Sequence, residues 1–398
     1  METREMEKDV VSPFKWVSTW GTAIEKCDIT PEAMPQMPLE GTTVRQIIKP
    51  TTTGSEMKLR LSNEYGGSDV NIISLHVAKQ IKADESAVDT ATEKTVTVGG
   101  RESFVIPKGR VIETDSVIFD VNALENLAFT AYFGETPEIN VTGHRCARAT
   151  TYQIQGNRVS DEAFELSDTK TTTSWFFLAD VSLWVPADSK AVVCFGDSIT
   201  DGYGTDALYL GRKPDSYTRW VDYFAKRLQS NDLTKHVSVI NEGIGGNSML
   251  GSWPTDAGKD RFERDLLEHD GVGFCIVLFG VNDLERLPDK SKFYLLKPEY
   301  EKMVAIAHEN GIKIYAAPIL PFGNSSHYSE NSEAVRNMIN DWMRSKESGF
   351  DGVIEFADAL ADPVDSKCIL EKYTHSDGLH PYDGYEAMAN VINLKMFI

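Results

Sequence analysis

The chain has 398 residues, more than one compact domain usually holds, so two domains are expected. Hydrophobic residues make up 41% and charged residues 25%, an ordinary globular composition that can bury full cores. The formal net charge of −20 argues against nucleic acid and anionic membranes as partners and favours neutral or cationic ones.

No apolar run reaches the length of a membrane span. The start, METREMEKDVVSPF, is charged and lacks the apolar stretch of a secretory signal. With its initial Met it predicts an intracellular, cytoplasmic chain. Cys27, Cys146, Cys194, Cys275 and Cys368 are scattered and odd in number, with no Cys-x-x-Cys pair. They predict a reducing compartment rather than a disulfide framework or a zinc ribbon, with Cys194 and Cys275 as small core residues.

From about Thr42 to Trp184 short alternating segments dominate. MKLRLS places Met57, Leu59 and Leu61 on one face and Lys58, Arg60 and Ser62 on the other, a half-buried strand. ESFVIPKG, SVIFDV, LAFTAYFG and SWFFLADVSLWV read as further strands broken by Gly, Pro, Asn and Asp turns. The spacing predicts an antiparallel β-sandwich or jelly-roll-like domain over residues 1–186, with Trp175 and Trp184 in its core. His144 and Arg145 fall at a strand start, where a surface or satisfied histidine is the default.

After Pro186 the pattern becomes strand, loop, helix. AVVCFG, VSVINEG, GFCIVLFG, IKIYAAP and GVIEF are continuous apolar runs suited to parallel strands covered on both faces. Between them, SYTRWVDYFAKRL carries Tyr217, Trp220, Val221, Phe224 and Leu228 on one stripe, with Ser216 as its N-cap. PEYEKMVAIAHENG starts at Pro298 and stops at Gly311, and SEAVRNMINDWM and GYEAMANVINL complete the helices. Residues 187–398 are therefore expected to form a three-layer, doubly wound parallel sheet, with ligands at the carboxyl ends of its strands.

VVCFGDSIT ends a strand at Gly196 and turns into a polar loop, which puts Ser198 at that edge. Asp197 or Ser198 could cap a helix there, or Ser198 could be a nucleophile. Three other strand ends bear on the choice. NEGIGGNSML supplies Gly243, Gly245 and Gly246, which let backbone approach a ligand; FGVNDL supplies Asn282; HSDGLHPYDGY carries Asp377 and His380 at a spacing that makes them neighbours in one helical turn. A serine hydroxyl needs a base within hydrogen-bond reach, which His380 could supply with Asp377 as orienter. An oxyanion formed on attack needs fixed donors, for which the Ser198 and Gly246 N–H groups and the Asn282 amide are candidates.

Taken in order, GDSIT, NEGIGGN, GVND and DGLH resemble the four blocks of the SGNH subgroup of the GDSL hydrolases. The resemblance implies Ser198 as nucleophile, Gly246 and Asn282 in the oxyanion hole, and Asp377 with His380 completing a triad. Gly246 is chosen because it falls five residues after Asn241, as in the family pattern. STWGTA, VRQIIKP, LRLSNEYG and WFFLADVSLWVPAD are similar to a bacterial subfamily with an N-terminal β-domain. The family's substrates include acetylated sugars, lipids, aryl esters and thioesters.

The expected activity is a serine esterase acting on short acyl esters, foremost O-acetyl groups of carbohydrates. It has a small-molecule or oligosaccharide substrate, no cofactor and no metal, and a homo-oligomer is compatible with it. Lipase, arylesterase and O-acyltransferase activity on the same residues, a non-catalytic glycan-binding module and a metallophosphoesterase are the competing readings. His375 near His380 is weak ground for a metal site. Asp197 and Asp283 read as loop-organising acceptors, and Trp253 as either a pocket wall or a packed loop aromatic.

Overall fold

The computed structural model describes residues 12–28, 30–31, 33–251, 255–285 and 289–398. The charged start up to residue 11, and Trp253, lie outside the described residues.

Strands up to Pro186 pair with one another antiparallel throughout. One sheet orders Phe14–Gly21, Leu178–Pro186, Gly54–Ser62 and Val111–Glu113, with Val117–Val121 also on Gly54–Ser62. A second runs Lys170–Thr172, Thr151–Gln155, Thr42–Ile48, Leu127–Phe133, Val70–Gln80, Val88–Val96, with Phe104–Ile106 on Val70–Gln80. Strand alternation decides which side each residue serves. Met57, Leu59 and Leu61 share one core with Phe129 and Phe133, while Ala128 and Ile47 point the other way, into a smaller cluster with Tyr152 and Phe164. A third, three-stranded sheet joins Glu25–Lys26, Thr142–His144 and Trp175–Phe176. Among the described residues no α-helix precedes Ser198.

Trp175 is buried as expected, its indole N–H donating to the Ile47 carbonyl at 3.0 Å. Trp184 is not a core residue. Val181, Leu183 and Val185 take the inner face of its strand, which leaves Trp184 half-buried on the outer one against Trp16.

The second half builds a parallel sheet from β1 (Lys190–Gly196), β2 (Val237–Gly243), β3 (Val272–Leu278), β4 (Lys313–Ala316) and β5 (Gly352–Val353), in the order β2-β1-β3-β4-β5. This is the doubly wound flavodoxin-like order, whose direction reverses beside β1, where such sheets bind ligands. Gly196 is in register with Gly243 on one side and Leu278 on the other, so three strands end on one line. The helices are α1 (Ser198–Asp201), α2 (Trp220–Gln229), α3 (Gly258–Leu267), α4 (Ser291–Glu309), α5 (Glu330–Arg344), α6 (Phe356–Leu360) and α7 (Tyr385–Asn390).

Two helix starts differ from the sequence reading. α2 begins at Trp220, not after Ser216, because Asp215 and Tyr217 have φ of 67° and 48°, left-handed values that no helix contains. Asp222 caps its start through the Arg219 N–H. α4 begins at Ser291 and carries Pro298 inside it, since Leu296 and Tyr300, four apart across the proline, are both fully buried.

Strand membership changes between Pro186 and Lys190, yet one hydrophobic core runs through both halves. The free edge of β2 is covered by the first strand: Ser238 Oγ donates to the Ser18 carbonyl at 2.5 Å, and Thr22 bridges Asn241. Polar ties cross the same boundary. His269 Nδ1 lies 2.7 Å from Asp180 and its Nε2 2.9 Å from Glu242. Burial alone would lower this imidazole's pKa, but the two carboxylates outweigh it and raise it to about 10. The unfolded value is about 6.5. A raised folded pKa means the stabilisation is full below the unfolded value and is lost as pH rises through the folded one. The melting temperature should therefore fall between about pH 7 and pH 10, and His269→Gln should flatten that fall. Parallel wild-type and variant curves over this window would contradict the assignment.

Candidate active site

β1 delivers the backbone to the sheet edge at Gly196, and the chain then turns into α1. Asp197 is the cap: its carboxylate accepts the Ile199 N–H at 3.0 Å. Ser198 is the first residue of α1, so its own N–H has no intrahelical partner and its side chain is free for another task. Burial pushes the Asp197 carboxyl up to about 7, against the pull of the Ile199 N–H and Arg261.

Ser198 Oγ lies 2.8 Å from His380 Nε2, and His380 Nδ1 lies 2.8 Å from Asp377 Oδ2. Three groups spread over nearly half the sequence thus form one hydrogen-bonded line, with Ser198 6% and His380 9% exposed. Asp377 and His380 are not on a helical turn. Asp377 Oδ1 accepts the backbone N–H groups of Leu379 (2.9 Å) and His380 (3.1 Å), an Asx-type turn that aims the other oxygen at the imidazole. That oxygen also accepts the Tyr382 hydroxyl at 2.8 Å. Partial burial works against charge on Asp377, but the bonds from His380 and Leu379 hold its carboxyl well below the usual range. The Tyr203 ring packs on the imidazole with centroids 4.2 Å apart. Gly204 lets the backbone pass beneath Tyr382, since a Cβ there would sit 2.3 Å from that ring.

The glycine block leaves β2 at Gly243. This glycine serves packing rather than ligand approach, because its Cβ would meet the Asp201 N at 2.2 Å. Gly246 is exposed and left-handed, at φ +74°, a conformation that favours glycine. Asn282 stands on the short turn after β3 and donates Nδ2 to the Asn247 carbonyl at 2.9 Å, leaving its second amide hydrogen for another acceptor. Asp283 accepts the N–H groups of Met249 and Leu250, the loop-organising work expected of it.

Several residues that support these loops were not assigned to the site from the sequence. Arg261 on α3 is fully buried; it donates to the Gly196 carbonyl at 2.9 Å, the Glu242 carbonyl at 3.0 Å and Asn247 Oδ1 at 2.9 Å, and pairs with Asp265. It therefore ties the ends of β1 and β2 to the glycine block. Asp201, at the end of α1, is held by Arg148 at 2.8 Å and by His144 at 3.2 Å. His144 is thus a satisfied histidine, as expected, but its partner lies three residues beyond Ser198. Arg145, beside it, reaches the Gly245 carbonyl at 2.9 Å. His375 pairs with Asp383 at 3.0 Å instead of joining His380.

Residues 194–386 match the model of the GDSL-like lipase/acylhydrolase family, a span that includes Ser198, Gly246, Asn282, Asp377 and His380. This half of the chain is a GDSL-like lipase/acylhydrolase domain. Solved structures similar to the chain include a carbohydrate acetylesterase family member from Sinorhizobium meliloti, at 21% identity and a TM-score of 0.40, covering 50% of this chain and 94% of that one. A member of the lipolytic protein G-D-S-L family from Veillonella parvula has 19% identity and a TM-score of 0.38, covering 51% and 96%. A family two carbohydrate esterase from Cellvibrio japonicus has 13% identity and a TM-score of 0.38, covering 96% and 97%. No curated protein matches the chain. Ahead of the GDSL-like domain, the strand Thr142–His144 and the loop after it bring Arg145 to the glycine block and His144 and Arg148 to Asp201 on α1. Among the described residues no helix is long and apolar enough to cross a membrane.

Proposed function

We propose that the protein is a serine esterase that removes short acyl groups, foremost O-acetyl groups of carbohydrates, through an acyl-enzyme on Ser198. The observation that carries the reading is the hydrogen-bonded line from Ser198 through His380 to Asp377. His380 Nε2 takes the Ser198 proton as Oγ attacks the ester carbonyl. Asp377 keeps the proton on Nδ1 and offsets the charge that forms on the ring. The carbonyl oxygen becomes an oxyanion, received by the N–H groups of Ser198 and Gly246 and by the Asn282 amide. His380 then returns its proton to the departing alcohol, and a water deprotonated by the same nitrogen releases the acid.

The sugar preference draws on what surrounds the triad. A cavity of about 520 Å³ lies on the far side of the triad's neighbour Tyr382, whose hydroxyl bonds Asp377, and none of the triad residues lines it. Arg212, Ser216, Thr218, Asp383 and Glu386 line it, and no aliphatic side chain does. With the Tyr223, Tyr382 and Tyr385 rings among these polar groups, such a wall suits a hydroxyl-rich alcohol better than a long aliphatic chain. One observation favours a longer acyl group instead: Leu208 and Tyr209 are exposed on the turn whose Tyr209 hydroxyl meets that of Tyr382.

A series of 4-nitrophenyl acetate, butyrate and octanoate, run beside acetylated xylo-oligosaccharides, separates the two. Misfitting methylenes typically cost about ten- to two-hundredfold in kcat/KM, so the acetate should lead and the octanoate trail by at least that much. Rates that climb with chain length would replace the sugar-ester reading with a lipase. Acyl transfer to added sugar outpacing hydrolysis would make the protein an acyltransferase.

A further inference from the structure

We propose that Arg145, from the antiparallel half, is a positioning residue for the oxyanion hole, holding the Gly245–Gly246 peptide so that the Gly246 N–H faces the developing charge. This rests on the reading of Ser198 as nucleophile and Gly246 as donor. The carbonyl of Gly245 and the N–H of Gly246 belong to one planar trans peptide and point in opposite directions, so fixing one aims the other. Arg145 Nη2 donates to that carbonyl at 2.9 Å. Packing does not fix this peptide: Gly246 is exposed, and a Cβ built on it would touch nothing within 4 Å. Glycine at φ +74° also leaves the unit free to rotate unless hydrogen bonds hold it.

Arg145 is itself held firmly. Its Nε lies 3.0 and 3.1 Å from the two Glu25 oxygens, and its backbone N–H donates to Glu25 Oε1 at 3.2 Å. Glu25 is only 2% exposed, so the pair is anchored inside the structure. The guanidinium fork meets carboxylate and carbonyl together, which a lysine ammonium cannot do in the same geometry. A cation on the carbonyl oxygen also polarises the peptide and makes its N–H a stronger donor. The neighbouring contacts agree in direction: His144 and Arg148, from the same segment, hold Asp201 on the nucleophile's own helix. The antiparallel half is thereby a structural part of the catalytic centre.

The test uses the full chain carrying Arg145→Gln with Glu25→Gln, a pair that removes the clasp without leaving one charge buried alone. Three quantities are read: kcat and KM for 4-nitrophenyl acetate, the rate at which a fluorophosphonate labels Ser198, and the melting temperature. Phosphonylation develops negative charge on an oxygen in the same hole, so it should slow together with kcat. The expected loss is about ten- to a hundredfold in both, with KM and the melting temperature little changed. If this variant fails to fold, Arg145→Lys, which keeps an ion pair to Glu25, carries the test and should lose kcat at constant KM. Undiminished labelling and kcat in a folded variant would overturn the positioning role while leaving the esterase reading intact. A loss that only follows the unfolded fraction would do the same. A wild-type protein that neither hydrolyses the ester nor takes the label on Ser198 would overturn both.

Discussion

Ser198→Ala should lower kcat on 4-nitrophenyl acetate by on the order of a million-fold while the folded protein remains as stable as the wild type. The size follows from the chemistry. Without Oγ no acyl-enzyme can form, and what remains is water attack helped only by substrate binding and by the oxyanion donors. The fold should not suffer, because the cap of α1 is Asp197 and the Ser198 side chain makes its hydrogen bond to His380 rather than to the helix. Fluorophosphonate labelling should vanish with the hydroxyl. A variant that retained even a tenth of the wild-type rate would take the nucleophile's role away from Ser198.

The parallel half was legible because its strands are covered on both faces, so each is a continuous apolar run that needs no knowledge of its neighbours. β5 is the exception; only Gly352 and Val353 pair, although the run GVIEF looks like the others. In the antiparallel half alternation located strands but not their sheets, since strands paired across the fold are distant in sequence. Gln46, for example, pairs with Phe129 on one side and Thr151 on the other. Alternation does carry one further fact, the outward side of Trp184, once Val181, Leu183 and Val185 are taken as the inner face. The misplaced start of α2 has a local cause: Tyr217, two residues after the left-handed Asp215, adopts a left-handed conformation that a bulky aromatic side chain does not signal.

At the site, Ser198, Asp377 and His380 were readable because each stands at a strand end or turn with a short local pattern. The supporting shell was not. Arg145 and Gly245 are a hundred positions apart, and no period or spacing joins them. Arg261 lies on the buried stripe of α3 with Phe262 and Leu266, a place where an arginine is unexpected, and three strand-end and loop acceptors supply its partners. The run His144, Arg145, Arg148 held a usable hint: three basic side chains crowded between apolar strands require acidic or carbonyl partners from elsewhere in the fold. Tyr382 was in plain view next to His380 and Pro381, but only coordinates reveal its hydroxyl on Asp377.

Asp377→Asn should reduce kcat by about ten-thousandfold, with the protein still folded and KM little affected. The carboxylate can only accept hydrogen bonds, so His380 must carry its proton on Nδ1 and present a lone pair at Nε2 to Ser198. A carboxamide can satisfy the Leu379 and His380 backbone N–H groups through its oxygen while its NH2 faces the imidazole and the Tyr382 oxygen. The ring then takes the other tautomer, with a proton on Nε2 and no base for the serine. Loss of the negative charge adds to the effect, because nothing then offsets the imidazolium formed on attack. The wild-type pH profile supplies a companion check. Hydrogen bonds hold the Asp377 carboxyl well below the usual range, so it stays ionised through mildly acid conditions. The acid-side fall of kcat/KM should then contain no step from protonation of Asp377. A step from Asp377 in that limb, or an Asn variant within tenfold of wild type, would mean that the carboxylate does not govern the ring.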